Sequence, residues 1–139
     1  MRTMFSIFAA AFIFAITLGI GTVRAQEDPG RLLKQLEEDS DRFSNSVSKA
    51  LDKSKYDGTS TEDQMNRYVR DFEDSIDRLK KGYDGGKDTT FLAKEVQTRS
   101  LAINKFLKKN PLGGDVKTDW GTVRAVLIRV AKTRKFKTT

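Results

Sequence analysis

The sequence predicts an all-α protein: an up-down-up-down four-helix bundle behind an N-terminal signal peptide. Three observations predict it. Four segments repeat apolar residues at spacings of three and four, no segment alternates with the period of two that marks a strand, and short turns rich in Gly and Asp join the segments. Short connections bring consecutive helices together antiparallel. A three-helix body with a detached first helix is the alternative arrangement of the same segments.

Residues 1–25, MRTMFSIFAAAFIFAITLGIGTVRA, stand apart from these repeats. Arg2 gives a positive start, an apolar run extends from Met4 to Ile20, and Val23-Arg24-Ala25 places small residues where a signal peptidase reads them. This is the three-part pattern of a secretory signal peptide. Cleavage after Ala25 leaves a single domain over residues 26–139, exported to the periplasm or secreted. Left uncleaved, an apolar run of this length anchors the same domain to a membrane. The chain has no Cys, which removes a lipidated N-terminus.

The first helix is expected over about residues 29–54, where Leu32, Leu36, Phe43, Val47 and Leu51 share a stripe. Leu33 and Ala50 flank that stripe and Ser40 sits in its gap. Asp28 suits the N-cap, and Pro29 suits the first helical position, where its missing N–H costs nothing. The second helix, about 62–81, repeats Met65, Tyr68, Val69, Phe72, Ile76, Leu79 and Tyr83, and opens on the capping-box spacing Thr61-Glu62-Asp63-Gln64. The third, about 90–109, carries Leu92, Val96, Ile103, Phe106 and Leu107 with Phe91, Ala93 and Ala102 beside them, and stops at Asn110-Pro111. The fourth, about 118–135, carries Trp120, Val123, Leu127, Val130 and Ala131 behind a Thr118 or Asp115 cap. With Val126 and Ile128 added, apolar residues cover more than half its circumference. Such a helix is either more deeply buried or offers a second contact face, and Ile128 is the residue expected to point to a partner. Trp120 is expected in the core, and Tyr56 and Tyr83 over its ends. Tyr56-Asp57-Gly58, Gly82 to Gly86 and Leu112-Gly113-Gly114 supply the turns.

Composition restricts the chemistry. A chain without His or Cys has no zinc site of the usual ligand types, no haem held by those side chains, and no Ser-His or Cys-His nucleophile pair. The loop from Asp52 to Asp63 resembles a calcium loop, with Asp52, Ser54, Asp57 and Asp63. Its glycine, Gly58, falls one place late, Tyr56 stands where an oxygen ligand is needed, and Asp63 replaces the long bidentate Glu. The stretch Gly82-Tyr83-Asp84-Gly85-Gly86-Lys87 lacks both the glycine spacing and the Ser or Thr of a phosphate loop. Asp71, Glu73, Asp74 and Asp77 form an acidic cluster on the second helix, and its pairs with Arg70, Arg78 and Lys81 are ordinary surface support. Neither an enzyme nor a bound cofactor is expected.

Charge is distributed unevenly. Residues 26–88 hold 12 basic and 16 acidic side chains, and residues 89–139 hold 12 basic and three acidic ones, Glu95, Asp115 and Asp119. The third helix contributes Lys94, Arg99, Lys105, Lys108 and Lys109, and the chain closes on Arg129, Lys132, Arg134, Lys135 and Lys137. Part of this suits helix C-termini, where the macrodipole is negative. The functional expectation is an anion-binding surface formed by Lys105, Lys108, Lys109, Arg129, Lys132, Arg134, Lys135 and Lys137. Its partner would be anionic lipid or an envelope glycan, without sequence-specific nucleic-acid recognition. The alternative is a structural or stress-related envelope protein acting through protein–protein contacts, met at Ile128.

The segment Trp120-Gly121-Thr122-Val123-Arg124, continued by Leu127, Val130 and Ala131, has the form W-x-x-[VL]-R-x-x-L-x-x-[LV]-A. With Asp71-Phe72-Glu73 and Asp77-Arg78-Leu79 in the middle of the chain, it resembles uncharacterised secreted or periplasmic bacterial helical-bundle proteins. The resemblance implies a helical bundle and no known activity. Where such proteins carry an aromatic three residues after the final Ala, this chain has Arg134, with Phe136 two places later.

Overall fold

The structure is a computed structural model that describes residues 26–136, apart from the Arg134 side chain; the signal-peptide expectation for residues 1–25 lies outside them. Four helices, α1 (Pro29–Asp52), α2 (Ser60–Asp84), α3 (Thr90–Lys109) and α4 (Gly114–Lys132), are followed by a 3-10 turn at Arg134–Phe136. No strand occurs among the described residues.

The apolar stripes become one core. Leu32, Leu36, Phe43, Val47 and Leu51 of α1 meet Met65, Phe72, Ile76 and Leu79 of α2, Val96, Ile103 and Phe106 of α3, and Trp120, Val123 and Val130 of α4. A helix of about 20 residues gains its stability by burying such a stripe rather than from propensity alone. At the centre, Trp120 is buried with its ring 4.8 Å from Phe43 and 5.8 Å from Phe72. Tyr56 and Tyr83 pack against the core, Tyr83 with its ring 5.8 Å from Phe136.

Polar contacts fix the directions. Gln35 meets Arg129 and Ser46 meets Asp119, so α1 and α4 run antiparallel. Asp71 meets Arg99 and Glu95 meets Arg78, so α2 and α3 do too. Glu37 pairs with Lys80 across α1 and α2. Contacts are extensive between α1 and α4, α2 and α3, and α1 and α2. The fourth side of the bundle, α3 against α4, is the thinnest. There the Trp120 indole donates to Asn104 Oδ1 at 3.4 Å, and the 3-10 turn packs on both helices, with Phe136 buried. The first helix is therefore the best connected element, which rules out the three-helix alternative.

Several helix ends differ from expectation. Asp28 caps α1 as anticipated, its Oδ2 accepting from the Arg31 N–H at 3.0 Å beside Pro29. The expected box at Thr61 to Gln64 is displaced: Thr59 is the N-cap of α2, its hydroxyl donates to the Tyr56 carbonyl, and Glu62 accepts from the Gly58 N–H. Gly82 belongs to α2 rather than to a turn. It is buried, and a Cβ there would approach Leu92 Cδ1 to 2.7 Å, so any side chain at this position requires Leu92 to shift. Gly58 and Gly86, at φ +68° and +67°, make the turns that need a positive φ. The fourth helix begins at Gly114, ahead of both expected caps, because Val116 extends the buried stripe one turn before Trp120. It ends at Lys132: Thr133 is extended, and this break lets Phe136 fold back into the core.

Trp120 joins three helices, so Trp120→Ala is expected to cost about 3–5 kcal/mol, the usual range for emptying a large buried aromatic site. Urea unfolding followed by circular dichroism measures it. A loss under about 1 kcal/mol would place the weight of the core elsewhere.

Candidate anion-binding surface

Each helix that buries one stripe leaves an outer face, and the four outer faces differ in charge. Exposed charges of both signs share the outer faces of α1 (Arg31, Lys34, Glu38, Asp41) and of α2 (Asp63, Arg67, Arg70, Asp74). On α3 the exposed residues are Phe91, Lys94, Thr98, Leu101, Lys105, Lys108 and Lys109, and none is acidic. At 3.6 residues per turn they fall within an arc about 100° wide. On α4 the one exposed acid is Asp115, in the first turn where a negative charge suits the helix dipole. Beyond it the exposed charges are Lys117, Arg124 and Lys132, with Ile128 among them.

The missing acids are explained by where they point. Glu95 faces α2, within 2.6 Å of Arg78 and 3.8 Å of Arg99. Arg99 also reaches Asp71 at 3.5 Å, so this cation belongs to the α2–α3 seam. Asp119 accepts a hydrogen bond from Ser46 of α1. Among the described residues, Lys94, Lys105, Lys108 and Lys109 of α3 and Lys117, Arg124 and Lys132 of α4 have no ion-pair partner.

The expected surface residues separate accordingly. Lys105, Lys108 and Lys109 lie together on the outer arc of α3, and Lys132 and Lys135 are exposed at the end of α4 and in the 3-10 turn. Arg134 opens that turn, and Lys137 lies outside the described residues. Arg129 faces α1. Its guanidinium binds the Glu27 carboxylate through Nε and Nη2 and donates to Gln35 Oε1 at 3.1 Å. The carboxylate holds Arg129 above its ordinary range, and the guanidinium holds Glu27 below its own. Arg129 thus ties the start of α1 to α4 and is taken by that contact. Ile128 is 53% exposed, whereas Val126 turns inward. The fold also exposes Phe91 at 75% and Leu101 at 67%. Leu101 stands off the apolar stripe in the sequence, which is the signal that finds it. Phe91 adjoins the stripe and carries no such mark.

A hollow of about 450 Å³ lies between the first turns of α2 and the last of α3. Lys105 and Lys109 line it with Thr61, Gln64, Asn110 and the Tyr68 and Phe106 rings, and no carboxylate does. Its chemistry suits a phosphate or carboxylate group. The larger hollow, about 680 Å³ between the end of α1 and the start of α4, mixes Lys49 and Lys53 with Asp115 and Asp119.

Two acidic groupings lie elsewhere on the bundle. Asp52, Asp57 and Glu62 bring one carboxylate oxygen each within 4.8 Å of one another, with Glu62 in place of the Asp63 expected from the sequence. They supply fewer oxygens than the about six to eight that calcium takes. Ser54 is occupied locally, donating to the Leu51 carbonyl and accepting from the Tyr56 N–H. Glu73, half-buried against α1, titrates above its ordinary 4.5. Burial is the main cause, opposed by a hydrogen bond from Ser44 and reinforced by Asp41, Asp74 and Asp77.

The chain matches no family model, no curated protein and no solved structure.

A carboxylate whose folded pKa is raised costs stability once ionised, so that cost is absent at low pH and grows as pH rises through the raised value. Glu73→Gln should therefore raise the melting temperature at pH 7, and the gain should shrink as pH falls and vanish well below pH 4.5. A gain independent of pH would contradict this origin.

Proposed function

We propose that the protein is an exported, non-enzymatic helical bundle that binds an anionic component of the cell envelope through the outer faces of α3 and α4. The observation that carries this is the outer arc of α3, where every exposed charge is a lysine and none has an ion-pair partner among the described residues. Like charges held together on one face repel, and an anionic surface relieves that repulsion while each near-surface cation contributes about 1 kcal/mol. Export, expected from residues 1–25, brings this face to the envelope.

Two features support binding over chemistry. The acids of α3 and α4 that face the core seams are held by Arg78, Arg99 and Ser46; Asp52 and Asp57 lie open to solvent near a surface turn, where the half-buried Glu62 is held by the Gly58 N–H.

The chain from Gln26 onward, which contains the whole described core, should bind anionic vesicles or a sulfated polysaccharide at low salt and release them as salt rises. Triple reversal Lys105→Glu, Lys108→Glu, Lys109→Glu should weaken binding at least about 100-fold, from roughly 1 kcal/mol per charge. Arg129→Gln, whose cation is already taken by Glu27, should bind like the wild type. Cosedimentation across a salt series measures all three, and absence of binding at low salt would refute the proposal.

A further inference from the structure

We infer that the anionic component is a lipid bilayer, and that α3 lies along its surface with Phe91 and Leu101 inserted between headgroups; this rests on the anion-binding role proposed above. The lysines alone fit any polyanion. The two apolar side chains do not, because a soluble polysaccharide offers them no apolar environment. Phe91 and Leu101 are the two most exposed large apolar residues described, and both project from the lysine arc. They stand ten positions apart, about 15 Å along a helix about 30 Å long, so both can enter one surface only if the helix lies flat on it.

The neighbours suit this placement. Lys94, Lys105 and Lys108 lie between or beside them on the arc, and lysine extends an apolar stem with its charge at the tip. Phe and Leu can therefore reach the acyl boundary while ammonium groups remain among phosphates, as in helices that lie in the membrane interface. The hollow lined by Lys105, Lys109, Thr61, Gln64 and Asn110 opens beside this arc and has volume for a headgroup phosphate. A protein partner fits less well, since protein interfaces are depleted in lysine relative to the remaining surface. The thin α3–α4 side also leaves α3 fastened mainly through α2, which keeps its outer arc clear.

The test uses the chain from Gln26 with Phe91→Trp, which adds an exposed indole to a protein whose only other Trp, Trp120, is buried. Vesicles of phosphatidylglycerol, with and without acyl-chain bromination, serve as the probe. Insertion predicts a blue-shifted emission and quenching by brominated lipid, both absent from the wild type. Phe91→Ser with Leu101→Ser, at exposed positions that leave the core intact, should lose about tenfold or more in vesicle affinity while keeping its affinity for a sulfated polysaccharide. Salt-sensitive vesicle binding with an unshifted indole and an unaffected double variant would overturn insertion and leave the anion-binding role standing. Binding to the polysaccharide but not to vesicles would overturn the bilayer assignment. An emission shift with polyglutamate and none with vesicles would assign the face to an acidic protein. Binding to none of these would overturn the anion-binding role and this inference together.

Discussion

The indole of Trp120, wedged between Phe43 and Phe72, is the contact on which the other packing depends. The chain has no Cys and no His, so neither a disulfide nor a metal held by those ligands can staple it. Cohesion comes from apolar burial, and Trp120 is where α1, α2 and α4 share it. α3 is joined differently. It lies on α2 through Val96, Ile103 and Phe106 and through the Arg78–Glu95 and Arg99–Asp71 pairs, and it meets α4 chiefly through Asn104 and the returning Phe136. A helix packed mainly on one neighbour keeps a broad exposed arc.

That arc makes the charge asymmetry consequential. The three carboxylates of the C-terminal half could have offset part of it, but Glu95 is drawn into the α2–α3 seam and Asp119 onto α1, while Asp115 stays at the start of α4. Two of the cations are also drawn inward: Arg99 to Asp71 and Arg129 to Glu27. Among the described residues, the cations that remain outside are lysines and Arg124, interspersed with Phe91, Leu101 and Ile128. Folding therefore sorts the charges into paired ones inside the seams and unpaired ones outside.

The stripes were legible in the sequence because helical periodicity is local: Leu32 to Leu51 and Met65 to Leu79 are buried as their spacing indicates. Helix ends were less legible, since they depend on packing beyond the local pattern. Val116 draws α4 back to Gly114, and Phe136 requires the break at Thr133. The lysines of α3 could be read as a basic group, but the pairing of Arg129 could not, because Glu27 lies 102 positions away. Phe91 reads as part of a stripe, and only the orientation of α3 on α2 sends it outward while Ala93 and Val96 turn in. Asp39, buried with one oxygen held by Arg42, carries no mark in the apolar pattern.

The most direct measurement is amide NMR of the chain from Gln26 with anionic vesicles that carry a spin label at the lipid headgroup. Paramagnetic broadening reports which backbone segments approach the bilayer. Broadening should centre on the outer arc of α3, from Phe91 through Lys109, and extend to α4 near Arg124 and Lys132, with the mixed-charge faces of α1 and α2 spared. Broadening centred on α1 or α2, or none at a salt concentration low enough to favour electrostatic binding, would contradict it.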